Sequence, residues 1–203
     1  MRPNPLFASE DPNLIRDLVR EHPWATLVTT TSSGLAASHY PVMLDESDPG
    51  LILLTHLGRP DEEVLEIDRG EVLVIVQGHH GYISPGWYSS QERKVPTWNF
   101  TVAHLHGTPE VLDEAENFEV LTRLVANFEG RLERPWLLDP DDAPIAKGTV
   151  GLRIPIQRCE MKRKLSQNKD GETRASVAAA LREEGPYRHL ALADEVEQEI
   201  NEA

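Results

Sequence analysis

Two histidines flanking one leucine, with a glutamate beyond a turn, are the first residues in this chain whose types and spacing could do chemistry: His104, His106 and Glu110, in VPTWNFTVAHLHGTPE. Alternate residues of a strand share a face, so both imidazoles can approach one ion. A catalytic metal site needs three protein ligands. Metal-binding cupin barrels with this spacing place a glycine where this chain has Trp98, and Glu110 lies beyond Gly107-Thr108-Pro109, a turn that resets its facing. Among the other histidines, His22, His39, His56, His79 and His80 supply no second ligand motif. The favoured reading is a pair of barrel histidines satisfied by neighbouring backbone or packed at a subunit contact, and no metal is expected.

The elements that must position these residues change period along the chain. Asp11-Pro12 followed by Leu14, Ile15, Leu18 and Val19 predicts a short amphipathic helix, with an acid at the cap and proline in the first turn, ending at His22-Pro23. The pattern then alternates. ATLVTTT and LAASHYPVMLD, joined at Ser33-Gly34, read as a hairpin, and LILLTHL follows the Asp48-Pro49-Gly50 turn. In GRPDEEVLEIDRG, acids crowd the first turn after Pro60 and a glycine closes the segment, which predicts a brief helix. EVLVIVQG, HHGYISPGW, TWNFTVAHLHG and EVL bring the strands to about seven, a count that suits a small barrel. Asp113 and Glu116 form a capping box, and Phe118, Leu121, Leu124, Val125 and Phe128 recur at helical spacing, which predicts a helix over 113–131. GLRIPIQRCEM reads as a last strand, and an acidic helical tail follows over about 172–203. With no internal repeat and no Gly/Ser linker, the expectation is one domain over 1–203, mainly β (α+β), a β-barrel with peripheral helices.

Bulk properties narrow the function classes. At 203 residues the chain can bury one sizeable core, and 39% hydrophobic with 27% charged residues is ordinary for a globular protein. No apolar run reaches membrane-span length and the N-terminus lacks the basic lead and apolar core of a signal peptide, so a cytoplasmic protein without membrane attachment is expected. The single cysteine, Cys159, excludes an internal disulfide and any multi-thiolate metal site, leaving redox chemistry to a cofactor. A formal charge of −14 opposes nucleic-acid binding, which depends on Lys and Arg displacing counterions. Arg158 to Arg174 is an exception, with six basic residues against three acidic ones, an island suited to a phosphate group.

Five ordered phrases, HPWATLVTT (22–30), ASHYPVMLD (37–45), EVLVIVQGHHGYISPGWY (71–88), VPTWNFTVAHLHG (95–107) and KLSQN (164–168), resemble the PaiB family of FMN-binding negative transcriptional regulators, over most of residues 1–185. The resemblance implies an FMN-binding split β-barrel of the pyridoxamine-phosphate-oxidase-like type, dimeric, with flavin held at the subunit interface. Thr55, His56 and Arg59 are similar to the Thr-Asn-x-x-Ser-Arg-Lys pattern that holds phosphate in flavin split barrels, whereas Pro60 stands in the lysine position and Asp61 replaces the usual Asn-Pro continuation. Lys162 and Lys164, or Arg93 and Lys94, are the candidates to restore the missing charge. Ser38 and His39 lie where the fold presents its ring-edge contacts, although His39 reads equally well as a barrel residue capped by a carbonyl. Trp98 and Asn99 look like a stacking face and an amide partner, and Ser166, Gln167 and Asn168 form a polar cluster that the family match draws to the flavin. Gln77 ends a buried strand, where capping the next loop explains it equally well.

FMN is therefore the expected cofactor and a homodimer with two flavin sites the expected assembly. A transcriptional role comes from the resemblance alone, since the chain shows neither a helix-turn-helix pattern nor a basic recognition helix and direct DNA contact is doubtful at this charge. Two alternatives stay open. One is a flavin-dependent oxidoreductase, in which the cofactor carries the redox step. The other is a haem-binding or haem-degrading split barrel, with His39, His56, His79, His80, His104 and His106 as potential axial ligands.

Overall fold

The computed structural model describes residues 1–2, 4–89 and 95–201; Arg93 and Lys94 lie outside the described residues. In chain order the elements are β1 (Ala8–Ser9), α1 (Pro12–Glu21), β2 (Trp24–Thr31), β3 (Gly34–Leu44), β4 (Ile52–Gly58), α2 (Asp61–Val64), β5 (Val72–Ile83), β6 (Thr97–Gly107), β7 (Glu110–Val111), α3 (Glu114–Glu129), β8 (Thr149–Lys164), α4 (Gly171–Arg182) and α5 (Leu190–Asn201). The strands hydrogen-bond in the order β1-β8-β4-β3-β2-β5-β6, with β7 on β8 and a further β8–β6 pairing that closes the circuit. The chain divides into two compact units. One comprises 11–76 and 104–159, the other 1–10, 77–103 and 160–203.

The first unit is a strand layer with helical cover. The β2–β3 hairpin runs in unbroken antiparallel register from Trp24↔Pro41 to Thr31↔Gly34. Beyond it β3 pairs with β4 and β4 with β8, Ile52↔Pro155 to Gly58↔Thr149. Alternation puts Leu27, Val42, Leu53, Val74, Leu152 and Ile154 on the inner face, each at most 3% exposed. At full burial such side chains contribute roughly 1.5–3 kcal/mol each, which fixes the register. Gly107 is required at the end of β6, because a Cβ there would stand 2.4 Å from the carbonyl oxygen of Pro155. The capping box of α3 forms as the sequence indicates, with Asp113 accepting from Ala115 and Glu116 and Glu116 returning to Asp113. Val120 and Leu124 of α3 then pack on Leu54.

The second unit surrounds a separate apolar cluster of Ile83, Leu165, Val177, Leu181, Leu192 and Val196, supplied by β5, the turn after β8, α4 and α5. Here β1 pairs with the end of β8, Ala8↔Lys162 and Ser9↔Met161. Two expectations change. EVLVIVQG and HHGYISPGW, read as separate strands, join in one continuous β5 that runs through Gly78 and Gly81 to Ile83. The last strand starts two residues earlier and ends three later than GLRIPIQRCEM, so Lys162 and Lys164 belong to a strand.

Candidate functional site

The histidine motif that opened the sequence reading resolves into ion pairing. The imidazole of His106 bonds the Arg158 guanidinium at 2.9 Å with Glu71 at 3.6 Å, while Glu110 pairs with Arg153 at 3.1 Å. Among the described residues no group of three or more His, Cys, Asp or Glu is arranged to hold a metal ion.

In the first unit, the stretch around β4 carries three of the residues predicted from the phosphate pattern. Thr55 is buried, and its hydroxyl donates to the Pro41 carbonyl at 2.7 Å, so it holds β4 against β3. His56 leaves the opposite face of β4. Its Nδ1 is buried without a hydrogen-bond partner, and burial pushes the imidazole below its ordinary pKa. Arg59 donates through Nε to the Thr149 carbonyl at 3.2 Å and is ion-paired with Glu62, one turn along in α2. The guanidinium expected to meet phosphate therefore already has a carboxylate. Asp61, the other departure from the family pattern, accepts from the Tyr40 hydroxyl at 2.7 Å. Burial first, and then that acceptor, push the Tyr40 hydroxyl up to about 12.

A cation absent from the sequence expectations joins Arg59. Lys147 lines with it a cavity of about 180 Å³ whose other walls include Asn117 and Thr149. Asn117 is 3% exposed and its amide nitrogen donates to the carbonyls of Ala146 and Thr149, which fastens the segment carrying Lys147. Ser38 and His39, adjacent on β3, leave opposite faces and are not brought together. His39 lies outside with Trp24, rings 6.4 Å apart and 16° from parallel.

The remaining predicted residues fall in the second unit. Asn99 is fully buried, and its amide exchanges hydrogen bonds with the Ser166 hydroxyl at 3.0 and 3.3 Å. Ser166 sits at φ 68°, a left-handed conformation, and the Asn99 amide stabilises that turn. Gln167 closes the same turn, accepting from the Leu165 amide at 2.7 Å and donating to the Arg163 carbonyl at 2.8 Å. These three side chains build the turn. Asn168 beside them is exposed.

Trp98, by contrast, is 53% exposed on the outer face of β6. His80 stacks beside it at 6.2 Å and 26°, Tyr82 meets it edge-on at 6.4 Å, and Tyr187 packs on Tyr82 at 4.8 Å. Gln77 bonds the His80 ring at 3.0 Å, so it orients this shelf. The Lys164 ammonium donates to the Trp98 carbonyl at 2.9 Å and to the Thr97 hydroxyl. Lys162 lies over the Phe100 ring and Lys169 over Tyr88. Burial, then the charges of Lys162 and Lys169, lower the Lys164 pKa. Among the described residues none of the three lysines forms an ion pair. His80 and Tyr82 alternate along β5 and so share a face. Lys169 lay in plain view, one residue past KLSQN.

Comparison with known proteins bears on the family and the fold. A family model described as "Putative FMN-binding domain" matches residues 1–158. The Bacillus subtilis (strain 168) protein named protease synthase and sporulation protein PAI 2 is 32% identical over 176 residues, 84% of each chain. Among solved structures, the FAD and heme binding protein from Mycobacterium smegmatis superposes with a TM-score of 0.61 at 18% identity, covering 85% of this chain and 79% of that one. The flavocytochrome Anf3 from Azotobacter vinelandii gives 0.61 at 16% identity, with 83% and 75% covered. The chain belongs to the FMN-binding, PaiB-like family, and its fold is the split β-barrel with peripheral helices that the residues led us to expect.

Proposed function

We propose that, as a member of that family, this protein binds FMN and works as a homodimeric, flavin-responsive regulator. The observation that carries the flavin reading is the exposed Trp98 shelf with three lysines beside it that form no ion pair among the described residues. FMN presents a flat ring system and a phosphate of about two negative charges, so it calls for an aromatic face and unspent cations together. The second unit has both. Trp98, His80 and Tyr82 would take the ring face and the Gln77–His80 pair its polar edge, while Lys162, Lys164 and Lys169 would take the phosphate. Arg59 and Lys147 line a second cavity, where Asp113 and Glu114 share the wall and Glu62 pairs with the arginine, so it offers an anion less than the shelf does. When bound, the flavin supplies reversible redox chemistry, and the chain's residues orient it and set its local charge.

The dimer reading is supported by the outer face of the β2–β3–β5 layer. Trp24 opposes Pro41, Thr26 opposes His39, Val28 opposes Ala37 and Thr30 opposes Leu35, with Leu73 and Ile75 continuing on β5. In a chain with 27% charged residues this face has none, and Trp24 and Leu35 on it are 65% and 82% exposed. A charge-depleted apolar sheet face is what the core of a homodimer interface requires. The regulatory role rests on the resemblance to the PaiB family. At a charge of −14 regulation through a partner or through flavin state is favoured over a direct grip on DNA. Among the described residues no helix is long and apolar enough to cross a membrane.

Titrating FMN into purified protein tests the flavin reading. The expected outcome is saturable quenching of flavin fluorescence at one FMN per chain, with light scattering reporting twice the chain mass. A chain that leaves the flavin spectrum unchanged and shows a sharp Soret band with hemin belongs to the haem class instead.

A further inference from the structure

We propose a second small-molecule site in the first unit, independent of the flavin reading, that takes a short-chain monocarboxylate. Between the end of α1, β3 and α3 lies a cavity of about 130 Å³. Val19, Pro23 and the β3 stretch 42–44 line one side of it, with the Met43 side chain on the face opposite those of Val42 and Leu44, and Arg20, Glu46, Arg123, Arg131 and Asn127 complete the rim. An engineered apolar cavity of about 150 Å³ accommodates benzene, so this space fits a branched acyl chain of about four carbons.

Counting charge on the rim selects the head group. Arg20 is held by Asp17 at 2.7 Å and by Glu46 at 2.9 Å, and Arg123 by Asp45 at 2.8 Å. Arg131 has no carboxylate among the described residues. Its guanidinium makes one hydrogen bond there, to the main-chain carbonyl of Arg20 at 3.3 Å. With five N–H donors on a planar fork, it keeps a paired edge for a carboxylate. A guanidinium without an acid is notable in a chain with 34 acidic and 20 basic residues. One uncompensated positive charge matches one negative charge, while Glu46 on the same rim opposes a dianion such as phosphate. Neither the pairing at Arg20 and Arg123 nor the apolar wall favours a polar or dianionic guest. The chemistry that fits is an apolar body of limited size ending in a single carboxylate.

Methyl NMR of the full chain reads this site directly, because it has three methionines and only Met43 lines the cavity. Isovalerate is the probe, its amide 3-methylbutanamide the neutral isostere, and inorganic phosphate the dianion. Isovalerate is expected to shift the Met43 methyl resonance saturably, with the amide and phosphate at least about tenfold weaker. Arg131 is exposed, so Arg131→Gln leaves the fold and the starting Met43 resonance in place while weakening isovalerate by about tenfold. Absence of a saturable Met43 shift, equal binding of the amide, or undiminished binding by Arg131→Gln would each overturn the proposal.

Discussion

Two regions of this molecule carry positive charge suited to a phosphate, and they differ in what surrounds it. After β4, Arg59 stands beside Glu62 and Asp61, one an ion-pair partner and the other bonded to Tyr40. At the end of β8, Lys162, Lys164 and Lys169 form no ion pair among the described residues, although Asp170 lies within electrostatic reach of Lys169, and burial and then the other two lysines lower the Lys164 pKa. The first arrangement is stable without a ligand. The second gathers cations that repel one another, so on the proposed reading it is the one that would gain more from an anion. In an acidic protein, whether a cation is already neutralised says more about ligand binding than its place in a family pattern.

The comparison is broken most directly by removing the lysines. Lys162→Gln, Lys164→Gln and Lys169→Gln combined should weaken FMN by about a hundredfold or more, since charge-assisted hydrogen bonds contribute about 1.5–3 kcal/mol each, and should not lower the melting temperature of the ligand-free protein. Fluorescence titration and calorimetry measure the two halves. Trp98→Ala, which removes the shelf and leaves the charges, should cost about tenfold in affinity for FMN and for riboflavin alike. Tyr40→Phe should lower unfolding stability by about 1 kcal/mol in a urea titration, because Asp61 loses its donor. The sign with pH follows from a folded-state pKa pushed up to about 12: the Tyr40 contribution is complete below the ordinary tyrosine value near 10 and disappears as pH rises to about 12, so Tyr40→Phe and wild type converge there. The smallest effect sharpens the contrast. Glu62→Gln and Arg59→Gln should each change FMN affinity by no more than about threefold, since neither residue belongs to the Trp98 shelf.

Much of the fold was legible because its signals are local. The capping box at Asp113, the proline after Asp11 and the alternation across β2 and β3 each state a backbone requirement within a few residues. What stayed hidden depends on distant partners. Gly81 lies inside HHGYISPGW with no local signal of its role, yet in β5 a Cβ there would stand 2.9 Å from Leu192, a residue more than a hundred positions away. β1 is two residues long, too short for any period to register. The site was legible in composition and less so in role. Trp98 and Lys164 stand where a ligand could meet them, whereas Asn99, Ser166 and Gln167 satisfy one another and the backbone. A polar side chain that clamps a turn and one that clamps a cofactor are the same letter in sequence, and only the hydrogen-bond partner separates them. Lys147 follows a Pro- and Asp-rich stretch without periodicity, so nothing local pointed to Arg59.

The FMN to riboflavin affinity ratio, measured on wild type and on the triple lysine variant at one ionic strength, tests the central claim most directly, because the two ligands differ only in the phosphate. The account predicts that wild type prefers FMN by about a hundredfold and that the preference collapses to near unity without the lysines. Equal affinity of wild type for both ligands, or a preference that survives in the triple variant and vanishes with Arg59→Gln, would contradict it.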